Sequence, residues 1–277
     1  MASTAISFKR RRAADRYAPV WSHRRQHVRS IRPRLFVHGS HASVAPGDRI
    51  VEVGCGVGSQ TVQLAARNPS TQIVSIDRSA ESLEQARTLV SGHGLTNVQF
   101  QQCDASVLPF EDGAFDGAFV CFVLEHLADP EGALRELRRV LKPGAKVHVF
   151  EGDHGATIAW PDDPHIHRLV RAATQYQAAQ GGNAEIGRAL TPLLRAGGFH
   201  TIQVEPCVAY ADLERPQWVE QFTRHTFIDM MKSLREQLAT SGLLDERASE
   251  LGVAALERAA LEGSFSYTFY RAIALRW

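Results

Sequence analysis

The sequence predicts an α/β protein built on a doubly wound parallel sheet, and three observations predict it. Between about residues 49 and 150, apolar β-rich segments alternate with amphipathic helical ones, the rhythm of parallel strands joined by right-handed helical crossovers. The first strand, "RIVEVGC", runs straight into a loop with glycine at every second place, Gly54, Gly56 and Gly58. Acidic residues close the next two strands, and the carboxyl ends of parallel strands face the ligand crevice of such sheets.

After the glycine loop, "SQTVQLAARN" reads as a helix, "TQIVSID" as a strand and "SAESLEQARTLVSGHG" as a helix with Ser79 at its N-cap. "NVQFQQC" and "FDGAFVCFV" read as strands. "DPEGALRELRRVLKPG" is a helix that starts at Asp129-Pro130 and stops at Pro143-Gly144, and "AKVHVFE" is a fifth strand. Beyond 151 the rhythm changes. "WPDDPHIHRLVRAATQYQAAQGGN" reads as a loop and a helix with no strand after it, and "AEIGRALTPLLRAGGF" as a helix ended by Gly197-Gly198. "HTIQVEPCVAYAD" and "SFSYTFYRAIALRW" are the last two strands, separated by about fifty residues that read as helical throughout. The organisation expected is a basic N-terminal arm and helix over 1–40, then one domain over 41–277 with helical insertions at about 156–184 and 213–262.

Composition sets the bounds. The chain has 277 residues, with 44% hydrophobic and 22% charged, the make-up of a globular protein able to bury a large core. Its longest apolar run, "AFVCFVL", is far short of the roughly 18–20 residues of a membrane helix. Cys55, Cys103, Cys121 and Cys207 are widely spaced without a C-x-x-C pair, which points to reduced thiols in a cytoplasmic protein and away from zinc. The net charge of +1 hides an asymmetry: residues 1–35 hold ten Lys/Arg against Asp15 alone, and the remainder has 21 against 29 acids. "FKRRR" and "SHRRQHVRSIRPR" fit a nucleic-acid arm, a transit peptide or a solvated basic helix face. Tyr17, Val20 and Trp21 share one helical face, as a docking helix would need.

The glycine loop and the acids together narrow the ligand. A dinucleotide fingerprint needs G-x-G-x-x-G, but Ser59 stands where its third glycine belongs, and no Gly-Lys-Ser/Thr is present for a triphosphate. Glu52, two residues before the first glycine, would repel a pyrophosphate and suits a cationic end. Asp77, nineteen residues after Gly58, is placed to grip ribose hydroxyls, and Asp104 to accept from an exocyclic amine. A ribose, an adenine and a positively charged amino-acid tail without phosphate describe S-adenosylmethionine.

The blocks "VEVGCGVG", "IVSIDRS", "CDASVLPFEDGAFDGAF", "LEHLADPEGALRELRRVLKPG" and "EGDHG", in this order, resemble the class I S-adenosylmethionine-dependent methyltransferases of the ubiquinone/menaquinone-biosynthesis type, also called type 11-like. The resemblance covers about residues 48–155, continues loosely through "GGNAEIGRALTPLLRAGGF" to "YTFYRAIAL", and is faint before 40. It implies a Rossmann-like, seven-stranded sheet whose last strand is antiparallel. It also implies Glu52, Gly54, Gly56 and Gly58 at the methionine end, Asp77 on the ribose, and Asp104 with Ala105 on the adenine. Arg78 would border the adenine, and Cys121 and Phe122 the sulfonium.

Methyl transfer needs alignment and exclusion of water, and a base only where the nucleophile must lose a proton. The candidates are His126 in "LEHL", as loop-orienting residue or base, and Asp153 and His154 in "EGDHG". Glu151, Phe222, His225 and Phe227, with Tyr17 and Trp21 closing from the N-terminal side, are candidate substrate residues. "PDDPHIH" reads as a loop and helix N-cap rather than a metal site. The function expected is methylation of a small apolar metabolite, quinone-, polyketide-, alkaloid- or terpenoid-like, at carbon, oxygen or nitrogen. Two alternatives are a nucleic-acid methyltransferase recruited by the basic arm and a non-catalytic cofactor-binding protein. Against the first, strand four lacks the Asn/Asp-Pro-Pro-aromatic tetrad. The partners expected are a small molecule, with neither nucleic acid nor membrane, and a homo-oligomer in which the second insertion could serve as interface.

Overall fold

The computed structural model describes residues 45–277. Tyr17, Trp21 and the basic arm lie outside them. The expected alternation is realised as β1 (Arg49–Val53), α1 (Ser59–Arg67), β2 (Gln72–Asp77), α2 (Ala80–Gly92), β3 (Val98–Gln102), β4 (Phe115–Cys121), α3 (Pro130–Val140) and β5 (Leu141–Trp160). α4 (Pro164–Ala179), α5 (Leu190–Ala196) and β6 (His200–Asp212) follow. A helical run over Pro216–Trp218, Val219–Ile228 and Asp229–Ser233, then α6 (Arg235–Thr240) and α7 (Glu246–Glu262), leads to β7 (Ser264–Leu275).

The strands form one seven-stranded sheet in the order β3-β2-β1-β4-β5-β7-β6. β1 to β5 pair in parallel, and β7 lies antiparallel between β5 and β6. The α/β class and the antiparallel last strand are as the sequence implied. Local chemistry explains the helices. The Ser79 hydroxyl accepts from Ser82 N–H at 3.1 Å and caps α2, and Asp129 accepts from Gly132 N–H at 2.7 Å and caps α3. α3 turns Ala133, Leu134, Leu137 and Val140 inward and ends in Arg138 and Arg139.

Two boundaries differ from expectation. α3 stops at Val140, before Pro143-Gly144, because Leu141 is fully buried and pairs with Phe115 as the first residue of β5. β5 itself continues past "EGDHG" to Trp160. A register break between Asp153 and Ile158 interrupts the ladder, after which Ile158, Ala159 and Trp160 pair with Ser266, Phe265 and Ser264 of β7. The antiparallel neighbour carries the ladder beyond the point where the parallel strands end. "EGDHG" therefore sits inside a strand at an irregularity, a place where side chains are re-aimed, instead of on an exposed rim.

The core has two main parts. One lies beneath β1, β2, β4 and β5 against α3 and α5, around Val51, Ile76, Phe115, Leu134, Leu141 and Leu194. The other packs Phe150, Phe265, Tyr267 and Phe269 of the sheet against Phe222, Phe227 and Met231 of the segment before β7. Among the described residues, no helix is long and apolar enough to cross a membrane.

Candidate active site

β1 carries Glu52 into the carboxyl end of the sheet, where it is 2% exposed. The hydroxyls of Thr61 and Ser75 both donate to its Oε2, at 2.7 and 2.6 Å. Burial raises its pKa from the ordinary 4.5 to about 7, against the two hydrogen bonds that favour the anion. The loop that follows packs tightly. A Cβ on Gly54, whose φ is +69°, would run into Val123, and one on Gly58 would sit 2.9 Å from Ala86 of α2. The N–H of Gly56 donates to Asp77 Oδ2 at 2.8 Å, and that of Ser79 to Oδ1 at 2.9 Å, so Asp77 staples the glycine loop to the β2–α2 turn. Asp104 closes a turn at the end of β3, its Oδ1 accepting from the N–H and hydroxyl of Ser106 at 2.9 and 2.6 Å. Arg78 is exposed, its carbonyl accepting from Gln102.

An open crevice of about 340 Å³, solvent-side space included, is lined by Glu52, Val53, Gly54, Cys55, Val57, Ser59, Gln60, Cys121 and Phe122. Among the described residues, Nε2 of Gln60 is buried there without a partner. α1 begins at this crevice, and its N-cap is Gly58, which brings no side chain to the first turn. Phe122 holds φ +56°, a rare state for a bulky residue, with its N–H bonded to Phe150 O at 2.9 Å. Ala105 borders a second, wholly apolar niche with Val53, Leu108, Val120 and Leu124.

The polar groups of "EGDHG" are buried: Glu151 is 0%, Asp153 1% and His154 7% exposed. Oε1 of Glu151 accepts from the N–H groups of Val123 and Leu124 at 2.9 and 2.8 Å, so Glu151 shapes the turn after β4 instead of meeting substrate from a rim. Burial and the adjacent Glu125 push its pKa well above the carboxylate range. Asp153 is gripped by Arg188 through two bonds of 2.6 Å, one to each carboxylate oxygen, so the carboxylate expected as a free base is engaged by a guanidinium fork. His154 presents Nδ1 to Ala184 O at 3.1 Å and lies 3.0 Å from the Tyr267 hydroxyl. His126 sits on the turn Leu124–His126 with Nε2 3.5 Å from Glu125. Its side chain is part-exposed on that turn.

Phe222 and Phe227 do reach this side. The Phe222 ring lies 5.7 Å from Tyr267 and 5.6 Å from Phe269, and that of Phe227 4.8 Å from Phe265 and 6.2 Å from His154. Phe269 lies 5.6 Å from Phe122, which joins this wall to the crevice. His225 is a correction to the candidate substrate set. Its ring nitrogens stand 3.0 Å from Glu220 and 3.6 Å from Asp229, and its side chain is 41% exposed. In "PDDPHIH", Asp163 caps α4 by accepting from His165 N–H at 2.8 Å, as expected, and Asp162 pairs with His167.

Residues 51–149 match the family model described as a methyltransferase domain. Over this stretch the chain is similar to the class I S-adenosylmethionine-dependent methyltransferases. It is 32% identical to the O-methyltransferase resE of Aspergillus sclerotiorum over 60% of each chain. With the ubiquinone/menaquinone biosynthesis C-methyltransferase UbiE of Cellvibrio japonicus it shares 35% identity over 47% of this chain and 53% of that one. The crystal structure of the [4+2]-cyclase SpnF shares the fold, with a TM-score of 0.57 and 24% identity over 88% of this chain and 81% of that one. The chain spans about three fifths of the length of the first curated relatives it matches.

The methyltransferase crevice fits the family's cofactor, S-adenosylmethionine, on its own donors. Both hydroxyls on Glu52 use one oxygen, and Oε1, which makes no hydrogen bond among the described residues, is available to an ammonium. The glycine-capped start of α1 and the buried Gln60 amide suit the carboxylate of the same amino-acid end. Sequence reasoning missed Thr61 and Gln60, Ser75 within "IVSIDRS", and Glu125, Arg188 and Tyr267. Glu125 stood beside His126 in a quoted motif, and only its burial marks it out.

Proposed function

We propose that this chain transfers the methyl group of S-adenosylmethionine to a small, largely apolar metabolite held between the ends of β4, β5 and β7 and the helical segment that precedes β7. One observation carries the reading. Phe122 lines the crevice with Glu52 and Gly54, and its ring lies 5.5 Å from Phe150 and 5.6 Å from Phe269, so the crevice and the aromatic wall share a residue. An apolar enclosure with few polar groups is the usual form of a small-molecule site.

The cofactor supplies a methyl already activated on a sulfonium. The chain's own residues have three tasks. Glu52, Gln60 and the α1 N-terminus hold the amino-acid end, Asp77 serves the ribose while also bracing Gly56, and Asp104 with Ala105 frames the base. Phe222, Phe227 and Phe269 exclude water from the reacting atoms. Glu151 fixes the turn from which His126 and Glu125 project. The acidic balance of the chain beyond residue 35 disfavours a nucleic-acid substrate.

Isothermal titration with S-adenosylhomocysteine, followed by detection of that product on incubation with S-adenosylmethionine and either an apolar metabolite panel or RNA, tests this. Product with metabolites supports the reading; product with RNA alone overturns the substrate class. Cofactor binding without transfer to either favours a non-methylating use of the fold, which folds of this kind do host.

A further inference from the structure

If this site is a methyl-transfer centre, the atom that receives the methyl is written in two side chains at the crevice ends of β5 and β7. Ala184 O can only accept a hydrogen bond. Its 3.1 Å contact with Nδ1 of His154 is a hydrogen bond when the ring proton sits on Nδ1, the tautomer that leaves a lone pair on Nε2. The same carbonyl also takes the His154 backbone N–H at 2.9 Å, which clamps the residue at both ends. Among the described residues Nε2 has no hydrogen-bond partner. Burial holds the pKa of the ring below its ordinary 6.5, so the neutral form with its lone pair persists through neutral pH.

Tyr267 completes the arrangement. Its hydroxyl stands 3.0 Å from Nδ1 of His154 and receives a backbone hydrogen bond from Asp153. Burial, Glu125 and the other neighbouring acids keep it un-ionised. Gly152 is what admits it, because a Cβ there would run into that hydroxyl. The groups facing His154 come from every neighbouring element. They are Glu125 and His126 on the turn after β4, Asp153 on β5 (paired with Arg188), Tyr267 on β7, and Phe227 from the helical segment. A lone pair fixed in direction beside an apolar aromatic wall serves an acceptor that must lose a proton to become a nucleophile. An amine attacks with its own lone pair before it loses a proton, and an electron-rich carbon needs no prior deprotonation.

We propose that Nε2 of His154 is the general base, that Tyr267 is a positioning residue for it, and that the acceptor is the hydroxyl of a phenol or enol on a planar apolar body. In the step, the acceptor oxygen forms a bond to the methyl carbon while the carbon–sulfur bond breaks and leaves its electron pair on sulfur. The acceptor proton passes to Nε2, and later to solvent. The products are a methyl ether and S-adenosylhomocysteine.

The full chain, labelled with ¹⁵N-histidine, gives a test that does not depend on turnover. At pH 7 the His154 signals, assigned through His154→Gln, are expected to show Nδ1 protonated and Nε2 bare, with Nε2 shifting when 1-naphthol is added beside S-adenosylhomocysteine. An Nε2–H tautomer or a doubly protonated ring overturns the assignment. In turnover on matched naphthalenes bearing a hydroxyl or an amino group, methyl ether is the expected product. The rate is expected to fall at least 100-fold in His154→Ala, with cofactor affinity unchanged. Tyr267→Phe, which keeps the packing, should slow kcat about tenfold and shift the acid limb of its pH profile while sparing KM. N-methyl or C-methyl products, or ether formation indifferent to His154, sink this proposal and leave the methyltransferase reading standing. Absence of cofactor binding would sink both.

Discussion

The two halves of the sheet hold their polar groups in different ways. Around β1 and β2, Glu52 is held by Thr61 and Ser75, 9 and 23 residues away, and Asp77 by Gly56 and Ser79, 21 and 2 residues away. Around β5 and β7, Asp153 meets Arg188 at a separation of 35, and His154 meets Tyr267 at 113. The first half is a local device shaped to one ligand, and its residue spacing is legible as text. The second is assembled from four or five distant segments, so it can vary without disturbing the first. The two sets of polar groups are held by separate structural means.

The most forceful way to break this division is to open the aromatic wall. Phe227 is 2% exposed and packs on Phe265 and Tyr267, so Phe227→Ala should cost about 3–5 kcal/mol of stability in urea unfolding. Cofactor affinity of the folded fraction should stay within about twofold, under roughly 0.5 kcal/mol. A parallel loss of cofactor affinity would show that the halves are one unit. Arg188→Ala comes next. It leaves the Asp153 carboxylate, 1% exposed, without its cation, and a loss of about 3 kcal/mol is expected in the same assay. Asp153→Asn, which keeps an acceptor for the guanidinium, should be milder. Either change acting on cofactor affinity alone would contradict the placement of this pair.

Asp77→Ala probes the other half. Loss of its carboxylate should weaken S-adenosylhomocysteine binding by about 1.5–3 kcal/mol, roughly 10- to 150-fold by calorimetry. Because Asp77 also holds the Gly56 N–H, part of that loss belongs to the glycine loop. Asp77→Asn, which can still accept from one amide, should recover some of it.

The smallest effect is one of pH. The pKa of Glu52 rises from 4.5 to about 7 on folding, so the ligand-free protein favours its protonated form. Its contribution to stability is complete below about pH 4.5 and is lost as pH rises through about 7. An ammonium at Oε1 favours the anion instead, so cofactor binding releases protons below that pH. Affinity should therefore rise several-fold from pH 6 to 7.5 and then level off, and Glu52→Gln should flatten the curve. A flat wild-type curve would place the cationic end elsewhere.

Much of the fold was legible because its signals are local. Alternating segments and the caps Asp129 and Ser79 act within a few residues of themselves, and the glycine loop and Asp77 lie within a single strand–helix–strand unit. The misreadings arose where a distant partner decides. Asp153 looked like a free acid until Arg188 was beside it. Glu151 looked like a rim group until the amides of Val123 and Leu124 claimed it.

By itself, then, the sequence determined the alternation of strands and helices and the glycine loop, while its family resemblance implied the antiparallel last strand and the cofactor. Periodicity and short-range hydrogen bonding act within a few residues, so their record survives in the order of the residues. Only the tertiary structure decided the acceptor side. On an α-helix, Phe222 and Phe227, five residues apart, would point in well-separated directions. Val219–Ile228 is wound as a π-helix, in which hydrogen bonds span five residues, and both rings come to face Tyr267. That winding, the length of β5 and the meeting of His154 with Tyr267 all depend on what packs against them, and packing between distant segments has no signature in residue spacing.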